Sequence, residues 1–379
     1  MLISRRNFLQ TTAGSAFLLG FPELSRALNN TENRRLLVIL LRGGMDGITA
    51  VPPIGDKELK SIRSSIYIEN SLALNDFFSL HPSMTFFHSA YKDNKAAIVH
   101  ATSFPYKGRS HFDGQNVMES GVDQPNSVNS GWLGRAMGVA DLGSLAFSLP
   151  IPLILRGNLN STNHYPTELI GVSDKVYESI FQNWSLNDEL KIMADKLDLK
   201  RSMGSMRRSP GALVSFATDQ LALDHGPRVG IIDLVGFDTH AEQGNGSGKH
   251  AEMLSQLDNL MKQFKFKMQD KWEDSLIITV TEFGRTAKEN GTKGTDHGWA
   301  SCMFLSGGLV NKGKVVSDWP GLKSSSLYEG RDLKLTIDAR DIYSEVVSKV
   351  FGIDPGRVSK DVFLGYKPKK DWQLIRELT

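Results

Sequence analysis

Between Ser275 and Ser306 the sequence sets its most reactive residue types against two apolar runs. The run S-L-I-I-T-V-T ends in Glu282-Phe283-Gly284-Arg285-Thr286, a glycine-broken loop follows, and Asp296-His297-Gly298 leads into M-F-L-S-G-G. A buried strand would thus deliver an acid and an arginine to its C-terminal end. The loop would deliver an Asp-His pair to the mouth of the next strand. Open α/β sheets bind ligands in crevices outside strand ends, and carboxylate plus imidazole is a donor set that divalent metals accept.

Three more loops at expected strand ends carry similar groups. Gly236-Phe237-Asp238-Thr239-His240 follows V-G-I-I-D-L-V. In an extended backbone residues i and i+2 share a face, so Asp238 and His240 can address one ion. Arg42-Gly43-Gly44-Met45-Asp46-Gly47 follows the first apolar run; its glycines permit a sharp turn, and Asp46 can hold a cation or simply belong to that turn. Arg109-Ser110-His111-Phe112-Asp113 opens an expected helix. Ser110 is a good N-cap, and the same position, beside backbone N–H groups, suits a nucleophile toward a phosphate or sulfate group, helped by Arg109 or a metal.

The elements that must position these loops alternate along the chain. Arg34–Leu41, Ala96–His100 and Arg228–Leu234 read as buried strands, and Ile151–Leu155 as a short one. Pro82–Asp93, a segment beginning at Ser110, and Ala339–Phe351 read as helices. In His250–Met268, Met253, Leu254, Leu257, Leu260, Met261 and Phe264 form one stripe, which is core packing. Trp184–Arg208, polar and rich in charge, reads as surface helix and linker. The alternation predicts a layered α/β sandwich, a mostly parallel central sheet flanked by helices.

Ser4-Arg5-Arg6-Asn7-Phe8-Leu9, a weakly apolar segment and Ser25-Arg26-Ala27 describe a twin-arginine export signal over residues 1–27, the alternative being an amphipathic N-terminal helix. Its apolar part is well short of the roughly 20 residues a spanning helix needs. Removing it takes three of the 44 basic residues and one of the 42 acidic ones, leaving 41 of each. That balance favours neither nucleic acid nor an anionic membrane. No second segment reaches membrane-spanning length, no repeat is evident, and residues 28–379 read as one domain. Cys302, the single cysteine, reads as a small buried apolar residue in a strand.

The chain resembles the DUF1501 family of exported bacterial proteins along nearly its whole length. The matching segments are the leader, L-R-G-G-M-D-G, R-S-H-F-D-G-Q with M-E-S-G behind it, G-W-L-G-R-A, G-F-D-T-H, T-E-F-G-R-T, G-T-D-H-G and G-R-D-L. That family is similar to the alkaline phosphatase and sulfatase superfamily. The resemblance implies a mixed α/β sheet, one or two metal ions and transfer of phosphoryl or sulfuryl groups. Asp46 matches the metal-binding aspartate after the first strand, and Ser110 the nucleophile's place at a helix start. Asp238 and His240 resemble the Asp/His pair of one metal site, and His297 the last metal-binding histidine. Glu282-Phe283 stands where an Asp-His pair is expected, so an imidazole is missing there, and His111 or Asp113 would have to supply the second site; Asp296 is a further possible ligand.

The reading that follows is an exported metal-dependent hydrolase of small anionic phosphate or sulfate esters. Zinc is the first choice of metal, with calcium, manganese or magnesium as alternatives. Ser110 would attack, a metal on Asp46 and Glu282 would activate it, Asp238, His240 and His297 would hold a second ion, and Arg109 or Arg285 would neutralise the ester oxygens. The family also implies a possible exported partner of the DUF1800 family. Two other classes stand beside this one, a binding or assembly protein of the cell envelope and a structural envelope protein. Specificity is expected in a variable insertion around residues 157–210, where His164, with Asn163 and Tyr165, either lines the pocket or sits on the surface.

Overall fold

A computed structural model of the chain describes residues 33–148, 151–163 and 210–377. The leader at 1–27, the charged segment at 184–208, His164 and Tyr165, and most of the expected insertion lie outside the described residues.

The first strand, β1 (Arg35–Arg42), is buried over nearly its entire length, and the pleat explains how a continuous apolar run is used. Leu36, Val38 and Leu40 face one core, while Leu37, Ile39 and Leu41 face the other. Both faces of the sheet are therefore covered by helices. On the first face lie His111–Ser120, Trp132–Ala140 and Ala339–Phe351. On the second lie Thr85–Lys92, Pro210–Leu221 and Lys249–Met268. The stripe Leu254, Leu257, Leu260, Met261 and Phe264 is buried against that second face.

After a small hairpin of β2 (Leu72–Ala73) and β3 (Ser79–Leu80) come β4 (Ala96–Ser103), β5 (Ser144–Ala146), β6 (Ser161–Asn163), β7 (Val229–Val235), β8 (Ser275–Val280), β9 (Ser301–Ser306), β10 (Lys314–Val316) and β11 (Ile337–Asp338). The main sheet runs β10-β4-β9-β8-β1-β7-β5-β6, with β11 continuing alongside β4. Every pairing in it is parallel except those of β9, which is antiparallel to β4 and β8. This single reversal has a functional consequence. The C-terminal ends of β1, β4, β7 and β8 and the N-terminal end of β9 all lie on one sheet edge, where the loops carrying Asp46, Ser110, Asp238, Glu282 and His297 emerge.

The short strand expected at Ile151–Leu155 is a 3₁₀ turn, Leu153–Leu155. Its backbone bonds locally and to a side chain: Leu155 N–H donates to the Pro152 carbonyl and Ile154 N–H to Glu119. Those two donors are thereby withdrawn from any ladder. Cys302 is buried within β9, as its small apolar character leads one to expect.

Two buried imidazoles give the fold a dependence on pH. Burial lowers the pKa of His100 and of His250 to about 4, from an ordinary 6.5. Burial also lowers His81 and His297, whereas the Glu282 hydrogen bond raises His111. Of these five imidazoles, four thus resist protonation in the native state and one favours it. As pH falls below about 6.5 the unfolded chain binds protons that the native chain refuses, so stability falls until the folded pKa near 4 is passed. The loss is on the order of 3 kcal/mol for each of the two most shifted imidazoles. The expected result is a melting temperature that declines steadily between about pH 7 and 4.5; a flat profile over that range would contradict it.

Candidate metal centre

Each loop at the shared edge is held by close backbone approach. Gly43, with φ 114°, lies so near the next loop that a Cβ there would stand 2.5 Å from the Asp238 nitrogen, and one on Gly44 2.6 Å from the Phe283 ring. Glycine is therefore required where the first loop passes beneath the others. A Cβ on Gly294 would meet the His240 carbonyl at 2.3 Å, so the same requirement joins the G-F-D-T-H and G-T-D-H-G segments.

Three imidazoles converge on one carboxylate. His240 Nε2 is 2.9 Å and His297 Nε2 3.2 Å from Asp238 Oδ1, and His111 Nε2 is 3.4 Å from Asp238 Oδ2. His240 and His297 bring their Nε2 atoms within 3.0 Å of each other. Ligand atoms of His111, Asp238 and His297 all lie within 4.8 Å of one another. The other nitrogen of every ring is occupied. His111 Nδ1 is 2.8 Å from Glu282 Oε1, His297 Nδ1 is 2.8 Å from the Arg109 carbonyl, and His240 Nδ1 is 3.3 Å from Asp296 Oδ1. Each of these partners is an acceptor, so a proton on Nδ1 of each ring would leave its Nε2 lone pair facing inward. Lone pairs facing a carboxylate and each other repel unless a cation lies among them.

The donor set and its supports fit a divalent ion. His111 Nε2 is buried and has no hydrogen-bond partner among the described residues, and metal-ligating imidazoles characteristically donate their other N–H to a carboxylate or a backbone carbonyl. Three nitrogens and an oxygen suit tetrahedral zinc. Phe283 backs the cluster, with its ring 4.9 Å from that of His111 and 5.0 Å from that of His297. The phenyl ring fills the place where a second imidazole is expected.

Electrostatics follow from these contacts. Burial raises the Asp238 pKa, but the Arg285 hydrogen bond and charge, with His240 and His111, carry it below the ordinary range. Burial likewise works against Glu282, and bonds from His111, the Gly43 N–H and Gln115 outweigh it. Burial keeps His297 low, which favours the neutral ring a metal requires.

Several side chains have roles other than those expected from sequence. Asp46 is fully buried and caps the turn Gly47–Ala50. Its Oδ2 accepts from Arg63 at 2.6 Å, from Thr49 at 2.7 Å and from Gln243 at 2.7 Å; an ion pair occupies the carboxylate that was expected to bind metal. The Glu282 Oε1 meets His111 Nδ1 and accepts from the Gly43 N–H and Gln115. Asp296 Oδ1 meets His240 Nδ1.

Arg109 contributes its carbonyl, turned toward His297 by a left-handed backbone with φ 56°. Its guanidinium is committed to Asp332 and Glu329. Arg285 is buried and bonds to the carbonyls of Gly43, Gly44, Phe237 and Thr295 and to Asp238, so it ties loops together rather than facing an ester. The Asp113 carboxylate meets the Tyr106 hydroxyl, at 3.5 Å, and does not join the cluster. Ser110 is the N-cap of His111–Ser120, and its hydroxyl accepts from Asp113 N–H over a long 3.5 Å. His111, by contrast, joins the cluster.

Beside the cluster lies a cleft of about 500 Å³ whose lining includes Asp296, Asn290, Lys288, Arg331 and Leu327. Asp296 therefore borders both the cleft and the imidazoles.

A family model described as a protein of unknown function (DUF1501) matches residues 33–363. No curated protein matches the chain. Among solved structures the chain is similar to a sulfatase from Pseudoalteromonas sp., at 12% identity and TM-score 0.39, over 94% of this chain and 77% of that one. It is similar to murine ectonucleotide pyrophosphatase/phosphodiesterase 5, at 11% identity and TM-score 0.40, over 85% and 96%. A third is the C-terminal periplasmic domain of EptC from Escherichia coli in complex with zinc, at 8% identity and TM-score 0.38, over 73% of each chain.

Proposed function

The chain belongs to the DUF1501 family, and we propose that it is an exported, metal-dependent hydrolase of small phosphate or sulfate esters. The observation that supports this reading is the set of three Nε2 atoms and one carboxylate converging at the sheet edge. His111, His240, His297 and Asp238 would hold one divalent ion, zinc before calcium, manganese or magnesium. When bound, such an ion supplies Lewis-acid polarisation of an ester oxygen. Glu282, Asp296 and the Arg109 carbonyl orient the three rings and fix their tautomers. Phe283 keeps water from one side of the cluster, and the cleft beside Asp296 receives the remainder of the ester.

Ser110 is the nucleophile in this proposal, since it immediately precedes His111 and its cap bond is long. The twin-arginine leader would export the chain already folded, with its metal. Among the described residues no helix is long and apolar enough to cross a membrane.

One observation favours a second reading. Both arginines expected to face the ester are committed elsewhere, which suits a binding or assembly protein that keeps the metal without turnover. A DUF1800-family partner belongs to that reading and would be sought by co-purification.

The test is hydrolysis of aryl phosphate, aryl phosphodiester and aryl sulfate by the zinc-loaded protein and by Ser110→Ala and Ser110→Asp. With serine attack, turnover falls by orders of magnitude in both variants while the fold survives. If Ser110 only caps its helix, the Ser110→Asp change is tolerated and Ser110→Ala costs about 1 kcal/mol of stability. No turnover of any ester by the zinc-loaded protein would favour the binding reading.

A further inference from the structure

Beneath the cluster lies a second layer of polar groups joined by hydrogen bonds of its own. Gln243, Thr239 and Thr295 are all buried. The Gln243 Oε1 accepts from the Thr239 hydroxyl at 2.9 Å and from the Thr295 hydroxyl at 2.8 Å. Its Nε2 donates to Asp46 Oδ2 at 2.7 Å and to Thr49 at 3.1 Å. Asp46 as a carboxylate can only accept, which fixes the amide orientation.

The two threonines hold informative places in the chain. Thr239 lies between Asp238 and His240, and Thr295 directly precedes Asp296 and His297. Their own backbones are joined by Thr295 N–H to the Thr239 carbonyl at 3.1 Å, and Gln243 N–H donates to the Lys293 carbonyl at 2.9 Å. One amide oxygen therefore clamps both ligand-bearing loops, and the Asp46–Arg63 ion pair anchors that amide to the first loop.

We propose that Gln243 is a positioning residue that sets the spacing of the Asp238–His240 and Asp296–His297 segments through Thr239 and Thr295. The proposal rests on the metal reading above, because that reading gives the spacing its purpose. A ligand set is competent only when its atoms are held near the required geometry before the ion arrives. Here the clamp grips each loop within two residues of its ligands, so loop separation is fixed next to the groups that must converge.

The test uses Thr239→Val and Thr295→Val, made singly, with Thr239→Ser and Thr295→Ser as the variants that restore the hydroxyl. Each protein is titrated with Co²⁺ and its visible spectrum recorded. The ring tautomers of His240 and His297 are read from imidazole ¹⁵N spectra without metal, and unfolding of the metal-free forms is followed in parallel. The valine variants are expected to bind Co²⁺ on the order of tenfold more weakly, with an altered spectrum and mixed tautomers. The serine variants are expected to match the parent protein. Parent-like affinity, spectrum and single tautomers in the valine variants would overturn the proposal, as would serine variants as impaired as valine. A parent protein that takes up no Co²⁺ would refute the metal reading, and the ring tautomers would then decide the role of Gln243.

Discussion

Asp238→Ala is expected to lower affinity for zinc by at least about a hundredfold, and chelation should lower its melting temperature much less than the parent's. Among the described residues, Asp238 is the one carboxylate that reaches Nε2 of all three imidazoles, at 2.9, 3.2 and 3.4 Å. Without it the site keeps its imidazoles and loses the negative charge that balances the ion. In the parent protein, free metal at roughly a thousand times its dissociation constant stabilises the fold by about 4 kcal/mol. Chelation should remove that contribution from the parent and from Ser110→Ala alike. Arg285 keeps four backbone carbonyls as partners when Asp238 is removed, so the variant should remain folded, with a lower stability from the lost counter-charge even without metal. Calorimetric titration with zinc reads the affinity directly, and parent-like affinity in Asp238→Ala would contradict the assignment.

Asp46→Ala is expected to be the most damaging single change to stability, at roughly 3–5 kcal/mol, because it leaves a buried cation without its counter-charge. Arg63 and Asp46 have side chains 2% and 0% exposed and stand 2.6 Å apart. The same carboxylate caps the turn Gly47–Ala50 and accepts from Gln243, so one substitution removes an ion pair, a cap and the anchor of the clamp. Asp46→Asn keeps the shape and the cap acceptor while removing the charge, and it should fall between the parent and alanine. Denaturant unfolding of the metal-free proteins measures the difference. A loss below about 1 kcal/mol, the scale of an ordinary surface pair, would contradict the structural role and return Asp46 to consideration as a ligand.

These two aspartates show what the sequence can and cannot convey. Both follow apolar runs and both look like strand-end acids. Strand ends were legible because a run such as R-L-L-V-I-L-L has to be buried on both faces, and its end then has to reach a sheet edge. What becomes of the acid depends on partners far along the chain. Arg63, which claims Asp46, lies in no motif, whereas Asp238 emerges beside histidines from two other loops.

Glu282 was legible as an acid at the site, but nothing in T-E-F-G-R-T shows that its carboxylate meets the His111 ring. The position of His111 behind a capping serine pointed as readily to a helix start as to a metal. Arg109 meets His297 through its carbonyl, and main-chain acceptors leave no mark in a side-chain pattern. Gln243 gave no signal either, being one polar residue in a glycine-rich loop. The two threonines flanking the ligands, read together, were the available hint that something lay beneath.

The measurement that bears most directly on the metal centre is anomalous scattering at the zinc edge from crystals of the leader-free protein grown with zinc. The account predicts one peak, bounded by Nε2 of His111, His240 and His297 and by the Asp238 carboxylate, at about 2.0–2.2 Å from each. The absence of a peak at that point, or an ion held by Asp46 or Glu282 in its place, would contradict it.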